Sequence, residues 1–332
     1  MLILSHDDVL AALSPDDCAD AMAEVLASRA RGETYMPLRS LMRPPDAAGF
    51  MGLMPAWRGP SGESPSLFSL KAICMNPANP ARGLDTHQGL VTLFDGDTGI
   101  PLAVLDASAI TAVRTAAVSA VATRLLARPD ARVLGILGAG VQARSHVDAL
   151  LRVRDFDEVR VYAPTHDHAR AVIESIHREP GGGTLRADAA QTARHAVSGA
   201  DVVVTATSSR TPVLDREWLG PGTHINAVGA STPAMRELSP EIVAGAALFA
   251  DSRESLHHEA GEYQEAVERG LFEGHDVPAE LGEVLAGLRP GRQDEQELTV
   301  FRSLGLAVED LAAAEHAVRT AARLGIGTEV HL

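Results

Sequence analysis

The sequence predicts an α/β protein in which a doubly wound parallel sheet follows a smaller α+β part. Three observations carry this. From residue 132 onward, short apolar strands alternate with helices, the mark of a parallel sheet with helices on both faces. The first strand and helix of that series are joined by the turn Gly138-Ala139-Gly140-Val141-Gln142-Ala143. Residues 35–85, in contrast, are broken by prolines at 37, 44, 45, 55, 60, 65, 77 and 80 into short apolar pieces such as Ser66–Cys74, which read as strands and turns.

The first helix signal is Ser14-Pro15-Asp16-Asp17. Ser14 is a capping residue, Pro15 suits the first helical position, and the acids favour the positive helix end. Met22, Val25, Leu26 and Ala30 continue it at helical spacing, and Gly32 stops it. Gly89–Phe94, the turn Asp95-Gly96-Asp97-Thr98-Gly99 and Ile100–Leu105 predict a β-hairpin. Ala109–Arg128 has no internal Pro or Gly and predicts one long helix ending before Pro129. Strands follow at Arg132–Leu137, Glu158–Ala163, Asp201–Ala206, Thr223–Val228 and Ala247–Ala250. Helices are expected at Val141–Leu151, Asp167–His177 and Ala189–Val197, a loop at Gly181-Gly182-Gly183, and a final helix at Leu304–Leu324. The domain boundary is expected within or beside the 109–128 helix.

Length and composition bound the function. The 332 residues correspond to two domains at about 100–200 residues each. Lys plus Arg number 29 against 44 Asp plus Glu, a net charge of −15, and aromatics are only 4%. That argues against nucleic-acid binding, while leaving room for a local basic pocket. Cys18 and Cys74 form no metal-ligand spacing, so a reducing, cytoplasmic setting is expected. The apolar run Leu2-Ile3-Leu4 is too short for a signal peptide, and no 18-residue apolar stretch predicts a membrane span.

The glycine turn carries the most specific chemistry. Gly138 permits a tight turn, Gly140 lets a pyrophosphate approach the backbone, and Ala143 allows close helix–strand packing. The helix N-terminus adds positive potential, so the Rossmann-type reading is dinucleotide binding. The second strand ends Val161-Tyr162-Ala163-Pro164-Thr165-His166 with no acid at its tip. An acid there would bind the ribose hydroxyls of NAD. Its absence, with Thr165, His166 and Arg170 at hand, favours NADP over NAD. Thr205–Ser209 and Asn226–Pro233 end their strands in small residues, as a ligand beyond the carboxyl ends requires.

Arg39, Lys71 and Arg114 are the second constellation. A guanidinium grips a carboxylate through two parallel hydrogen bonds, and a lysine adds a point charge. From spacing alone each reads as a solvated surface charge. His87, in Thr86-His87-Gln88-Gly89, is either near a site or an ordinary polar group. His257-His258-Glu259 places adjacent side chains apart on a helix, so no metal site is expected.

Taken together, Met54-Pro55-Ala56, Thr86–Gly89, Thr111–Ala117, Gly138–Ala143, His224–Ser231, Arg236-Glu237-Leu238 and Ser303-Leu304-Gly305-Leu306 resemble the ornithine cyclodeaminase/mu-crystallin family. The resemblance spans essentially the full chain and is greatest to the mu-crystallin, ketimine-reductase branch. It implies a discontinuous α+β substrate-binding and dimerisation domain, 1–120 with 305–332, around a Rossmann domain, 121–304. It implies a homodimer and a small substrate. By the resemblance, Arg39, Lys71 and Arg114 hold the substrate carboxylate and Leu304 contacts the substrate. The cofactor, NADP or NAD, is lined by Thr86, Arg114, Thr115, Gly138, Ala139, Gly140, Val141, Gln142, Thr207, Val228, Gly229, Ala230, Ser231 and Ser303. Three departures matter. Cyclodeaminases carry Asp where this chain has Ser231, and Glu where it has Gly52. Ketimine reductases carry Arg where it has Pro164. A serine cannot move protons at a substrate nitrogen as a carboxylate does. The expectation is therefore NAD(P)H-dependent reduction of a carboxylate-bearing ketimine, with Lys71 or a water held by Ser231 delivering the proton. The alternatives are an alanine-type amino-acid dehydrogenase, an ornithine or lysine cyclodeaminase, and a non-catalytic small-ligand binder.

Overall fold

The computed structural model describes residues 1–62, 64–176, 185–272 and 277–331. The loop at Gly181-Gly182-Gly183 lies outside them. The chain divides into two compact units, Met1–Arg114 with Leu306–Leu332, and Thr115–Gly305. The division falls at residue 114 rather than 120.

The first unit opens with β1 (Leu2–Leu4), α1 (His6–Ala12) and α2 (Pro15–Ala30). The Ser14 hydroxyl accepts from the Asp17 amide, so the capping signal does start α2, which buries Cys18, Met22, Val25 and Leu26. The same device starts α1, where Ser5 and Asp8 form a reciprocal capping box. Then come β2 (Thr34–Tyr35), β3 (Ser40–Met42), β4 (Phe50–Arg58), β5 (Leu67–Met75), β6 (His87–Asp95) and β7 (Pro101–Asp106). The proline-rich stretch thus contains two nine-residue strands, paired antiparallel along their whole length, with Pro55 inside β4. β6 and β7 are the expected hairpin.

The sheet runs β16-β1-β7-β6-β5-β4-β2, with β3 on β4 and β16 at Thr328–Glu329. One face is covered by α11 (Ala307–Leu324), which packs on β4, β5, β6 and α2. Residues facing it alternate with residues on the other face, as strand geometry demands. That other face leaves Phe68, Leu90 and Leu102 exposed on β5, β6 and β7.

α3 (Ala107–Leu126) ends the first unit and enters the second. It is long and apolar enough to cross a membrane, and most of it is buried inside the protein. It serves as a core helix. The second unit continues with β8 (Val133–Leu137), α4 (Val141–Leu151), β9 (Glu158–Tyr162), α5 (His166–Ile176), β10 (Arg186–Ala189), α6 (Ala193–Val197), β11 (Val202–Thr205) and β12 (His224–Ala227). It closes with α7 (Pro240–Ala244), β13 (Ala247–Ala250), α8 (Arg253–Glu259), α9 (Gly261–Glu268), β14 (Ala279–Glu280), α10 (Leu281–Leu285) and β15 (Thr299–Arg302).

This second sheet is wholly parallel in the order β10-β9-β8-β11-β12-β15-β13-β14. β11, β12 and β15 are buried at every position, so both faces are covered. Val202 and Val204 join one core with Leu134, Ile136 and Val161, whereas Val203 joins the opposite core with Ile225 and Val300.

Two expectations change. In the expected 189–197 helix, Ala189 ends β10 and helix occupies only Ala193–Val197, because the Thr192 hydroxyl accepts from the His195 amide and starts α6 only there. The final helix starts at Ala307, not Leu304. Asp251 accepts from the Leu304 and Gly305 amides at 2.6 Å each, and Gly305 has φ +81°, which holds 303–305 out of the helix.

Candidate active site

In the first unit the three basic residues are not surface charges. Lys71 lies at the middle of β5 with 2% exposure, Arg114 on α3 with 5%, and Arg39 is half-buried between β2 and β3. The correction has a physical cause. Both buried cations meet acids on the first turn of α11 that spacing could not reveal, because they lie about 200 residues away. Lys71 Nζ donates to Asp310 Oδ1 at 2.9 Å, and Arg114 Nε donates to the same oxygen at 2.9 Å. Arg114 Nη1 donates to Glu309 Oε2 at 2.7 Å, an oxygen that also accepts from the Leu306 amide. Burial alone would raise the Asp310 carboxyl, but Arg114 and Lys71 outweigh it and hold the group below its ordinary value. Burial also lowers Lys71 to about 8, with Asp310 opposing and Arg114 and Arg39 adding to the fall. The half-buried His87 at the start of β6 is kept low by burial first, then by Lys71 and Arg114.

Composition holds a signal that identifies Lys71. It is the only lysine in the chain; the other 28 basic residues are arginine. An arginine stays charged, whereas a lysine gives up its proton when buried. The one position where the chain uses lysine is one where proton transfer is possible. Asp310 and Glu309 have a weaker signal, since two acids at a helix start read as ordinary dipole partners.

In the second unit the strand tips carry the other expected residues. Gly138 has φ +120°, and a Cβ there would lie 2.3 Å from the Ala206 carbonyl oxygen. A Cβ on Gly140, the N-cap of α4, would meet nothing within 4 Å, so the space before the helix is open. Ala143 is fully buried behind it. A tight turn, an open approach and a helix N-terminus without a side-chain cap fit a pyrophosphate. The Ser303 hydroxyl, at the end of β15, is buried with no hydrogen-bond partner among the described residues, an orphan that a ligand at the strand tips can satisfy. Thr115 is buried, Ser231 half-buried and Leu304 buried; Thr86, in the first unit, is half-buried ahead of β6. At the tip of β9, Thr165 is exposed. His166 Nε2 lies 3.0 Å from the Ala189 carbonyl and 2.9 Å from Gln191 Nε2, so its ring is turned to β10. Asp167 pairs with Arg170 in the first turn of α5.

Two residues of this unit escaped sequence reasoning. Glu237, fully buried, ties two strand tips together: Oε1 accepts from the Thr207 amide at 2.6 Å, while Oε2 accepts from the Gly229 amide at 2.6 Å and the Thr205 hydroxyl at 3.0 Å. Arg302 works from the other side. Its guanidinium donates to the carbonyls of Ala227, Ala230 and Ser303 and pairs with the buried Glu262. The 228–231 loop is therefore held by its amides and by its carbonyls. Among the described residues, no group of His, Cys, Asp and Glu is arranged to hold a metal ion.

The parallel sheet with a glycine turn that opens before a helix is the arrangement of a dinucleotide-binding oxidoreductase, and the buried cations suit a small carboxylate substrate. The chain belongs to the ornithine cyclodeaminase/mu-crystallin family, whose profile matches residues 1–324. It is 40% identical over 284 residues to the ketimine reductase mu-crystallin of Mus musculus, covering 86% of this chain and 84% of that one. Its structure is similar to that of Thermococcus litoralis Delta(1)-pyrroline-2-carboxylate reductase in complex with NADH and L-proline. There the TM-score is 0.93 and the identity 34%, over 99% of this chain and 100% of that one. It is also similar to an archaeal alanine dehydrogenase dimer with bound NAD, with a TM-score of 0.91 and 35% identity over 100% and 99% of the two chains.

Proposed function

We propose that the protein reduces a carboxylate-bearing ketimine to an amino acid, with a cyclic imine such as Δ1-pyrroline-2-carboxylate or Δ1-piperideine-2-carboxylate as substrate. The observation that carries this is the buried Lys71, the sole lysine, beside Arg114 in a unit built for a carboxylate. Arg39 and Arg114 bind and orient the substrate carboxylate, and fixing the imine in one pose supplies much of the rate. Lys71, with its proton weakly held at about 8, gives that proton to the imine nitrogen. A protonated imine is the better hydride acceptor. When bound, the reduced nicotinamide dinucleotide supplies the hydride. Gly138 to Gln142 would hold its pyrophosphate, and Thr207, Val228 to Ser231 and Ser303 its nicotinamide end. The absence of a carboxylate at the tip of β9, with Thr165 and Arg170 exposed there, favours NADPH over NADH. The exposed apolar side chains Phe68, Leu90 and Leu102 support a homodimer through that sheet face. Light scattering at twice the chain mass would bear this out. The free thiols Cys18 and Cys74 support a reducing, cytoplasmic setting.

An amino-acid dehydrogenase acting on a 2-oxo acid plus ammonia is the second reading, favoured by the likeness to the alanine dehydrogenase. Ser231, in place of a carboxylate, disfavours cyclodeamination. Absorbance of NADPH or NADH separates them. Oxidation with the cyclic imines carries the first reading. Oxidation only with pyruvate plus ammonia carries the second. Ammonia release from ornithine, with no net cofactor change, overturns both.

Two further outcomes follow. The proton donor must be protonated, so kcat/KM for imine reduction is level at low pH and falls about tenfold per unit above about pH 8. A profile flat to pH 10 would remove Lys71 from the chemistry. Gly229→Ala would place a Cβ 2.1 Å from the Thr207 carbonyl oxygen and 2.5 Å from Glu237 Oε1. Overpacking of this kind costs about 1–3 kcal/mol, so the cofactor Kd, read by fluorescence titration, rises about ten- to hundredfold. An unchanged Kd would mean that this loop does not touch the cofactor.

A further inference from the structure

We infer that Asp310 is the positioning residue that keeps Lys71 charged and fixes where its ammonium points, an inference that rests on the proton-donor role proposed for Lys71. The β-sheet neighbours of Lys71 across the strands are Met54 on β4 and Val91 on β6, both apolar and buried. An ammonium in such a place loses its hydration and gives up its proton unless a carboxylate compensates.

The charged and titratable groups around Lys71, Arg114 and Asp310 come from five other elements. The β2–β3 segment brings Arg39 and α3 brings Arg114, both of which push Lys71 toward its neutral form. From β6 comes His87, held below its ordinary value and so neutral near pH 7. On α2, Cys18 lies close enough to Arg114, Asp310 and Glu309 to feel their charges, and burial drives its thiol up, so it too is neutral. α11 brings Glu309 and Asp310. Glu309 meets Arg114 and the Leu306 amide. Asp310 is the carboxylate hydrogen-bonded to Lys71, through Oδ1 alone, at 2.9 Å. The same oxygen holds Arg114 Nε at 2.9 Å, so one atom sets the spacing of both cations. The carboxylate stands in the first turn of an 18-residue helix, whose positive end favours its ionised form. Burial and two arginines pull the Lys71 proton off, and Asp310 holds it on. The result is a lysine poised near neutrality and aimed along one hydrogen bond.

The single lysine makes the test direct. Protein grown on lysine labelled with 13C at Cε gives one lysine side-chain signal, and its titration needs no assay of activity. In the wild type the midpoint is expected near 8. In Asp310→Asn it falls by about one to three pH units, since a neutral amide no longer opposes the two arginines. The alkaline limb of kcat/KM for Δ1-piperideine-2-carboxylate moves with it. A D310N midpoint equal to the wild type's would overturn the inference, as would a limb that stays in place while kcat drops equally at every pH. Should D310N fail to fold, the wild-type midpoint decides: near 8 supports the balance, and below 6 or above 10 contradicts it. If the lysine titrates as stated and the protein consumes no cofactor with any imine, the reading of function fails while this one stands.

Discussion

Lys71→Ala is expected to lower kcat for imine reduction about 10²- to 10⁴-fold, the range for loss of a positioned general acid. The fold should survive, because Asp310 keeps its hydrogen bond from Arg114 Nε and no cation is left without a partner. Substrate binding should weaken as well, since one positive charge leaves the carboxylate pocket. Lys71→Arg separates the two effects. It restores a charge that holds a carboxylate but cannot release a proton near neutrality. K71R should therefore recover KM more than kcat, and it should lose the alkaline limb near pH 8. A K71R enzyme with wild-type kcat would show that the proton comes from elsewhere, with the Ser231 hydroxyl or its water as the source to test.

Arg114→Ala is expected to have the largest effect on stability. The side chain neutralises Glu309 and shares Asp310, and both acids are essentially fully buried. Removing one partner of a buried ion pair costs about 3–5 kcal/mol, on the order of 10 °C in Tm for a unit of this size. The pH dependence has a definite sign. Asp310 is held below its ordinary value in the native protein, so its pairing stabilises the fold above the unfolded carboxyl pKa. That contribution disappears as pH falls through the folded pKa. The gap in Tm between wild type and R114A should thus persist from pH 7 down to the ordinary carboxyl value of 3.8 and narrow only below it. Arg114→Lys should recover part of the stability and little of the activity, because an ammonium cannot make the forked contact. An R114A protein with wild-type Tm at pH 7 would mean that these acids do not depend on the arginine.

The parts of this molecule that local rules govern were legible in its sequence. Ser14 and Pro15 start α2 as read, α4 spans the residues expected, and the β6–β7 hairpin follows its turn. Gly138 and Gly140 have the conformation and open space that the glycine motif requires. What escaped was non-local. β15 enters the sheet between β12 and β13 after the chain has already formed β13 and β14, an order that periodicity does not encode. The 304–306 turn is kept from helix by Asp251, some 50 residues earlier. The buried state of Lys71 and Arg114 depends on Asp310 and Glu309 at the far end of the chain. A cation's partner decides whether it is solvated or functional, and spacing does not show the partner. Glu237 lay inside a recognised stretch, Arg236-Glu237-Leu238, yet its role appears only where the tips of β11 and β12 converge on it.

In the proposed reaction a hydride reaches the carbon of a carboxylate-bearing imine. The most direct test uses reduced cofactor deuterated at both C4 positions, Δ1-piperideine-2-carboxylate as acceptor, and mass spectrometry of the product. One deuterium is expected at Cα of the resulting amino acid, with one equivalent of cofactor oxidised. An unlabelled product, or ammonia released from ornithine while the cofactor is unchanged, would contradict it.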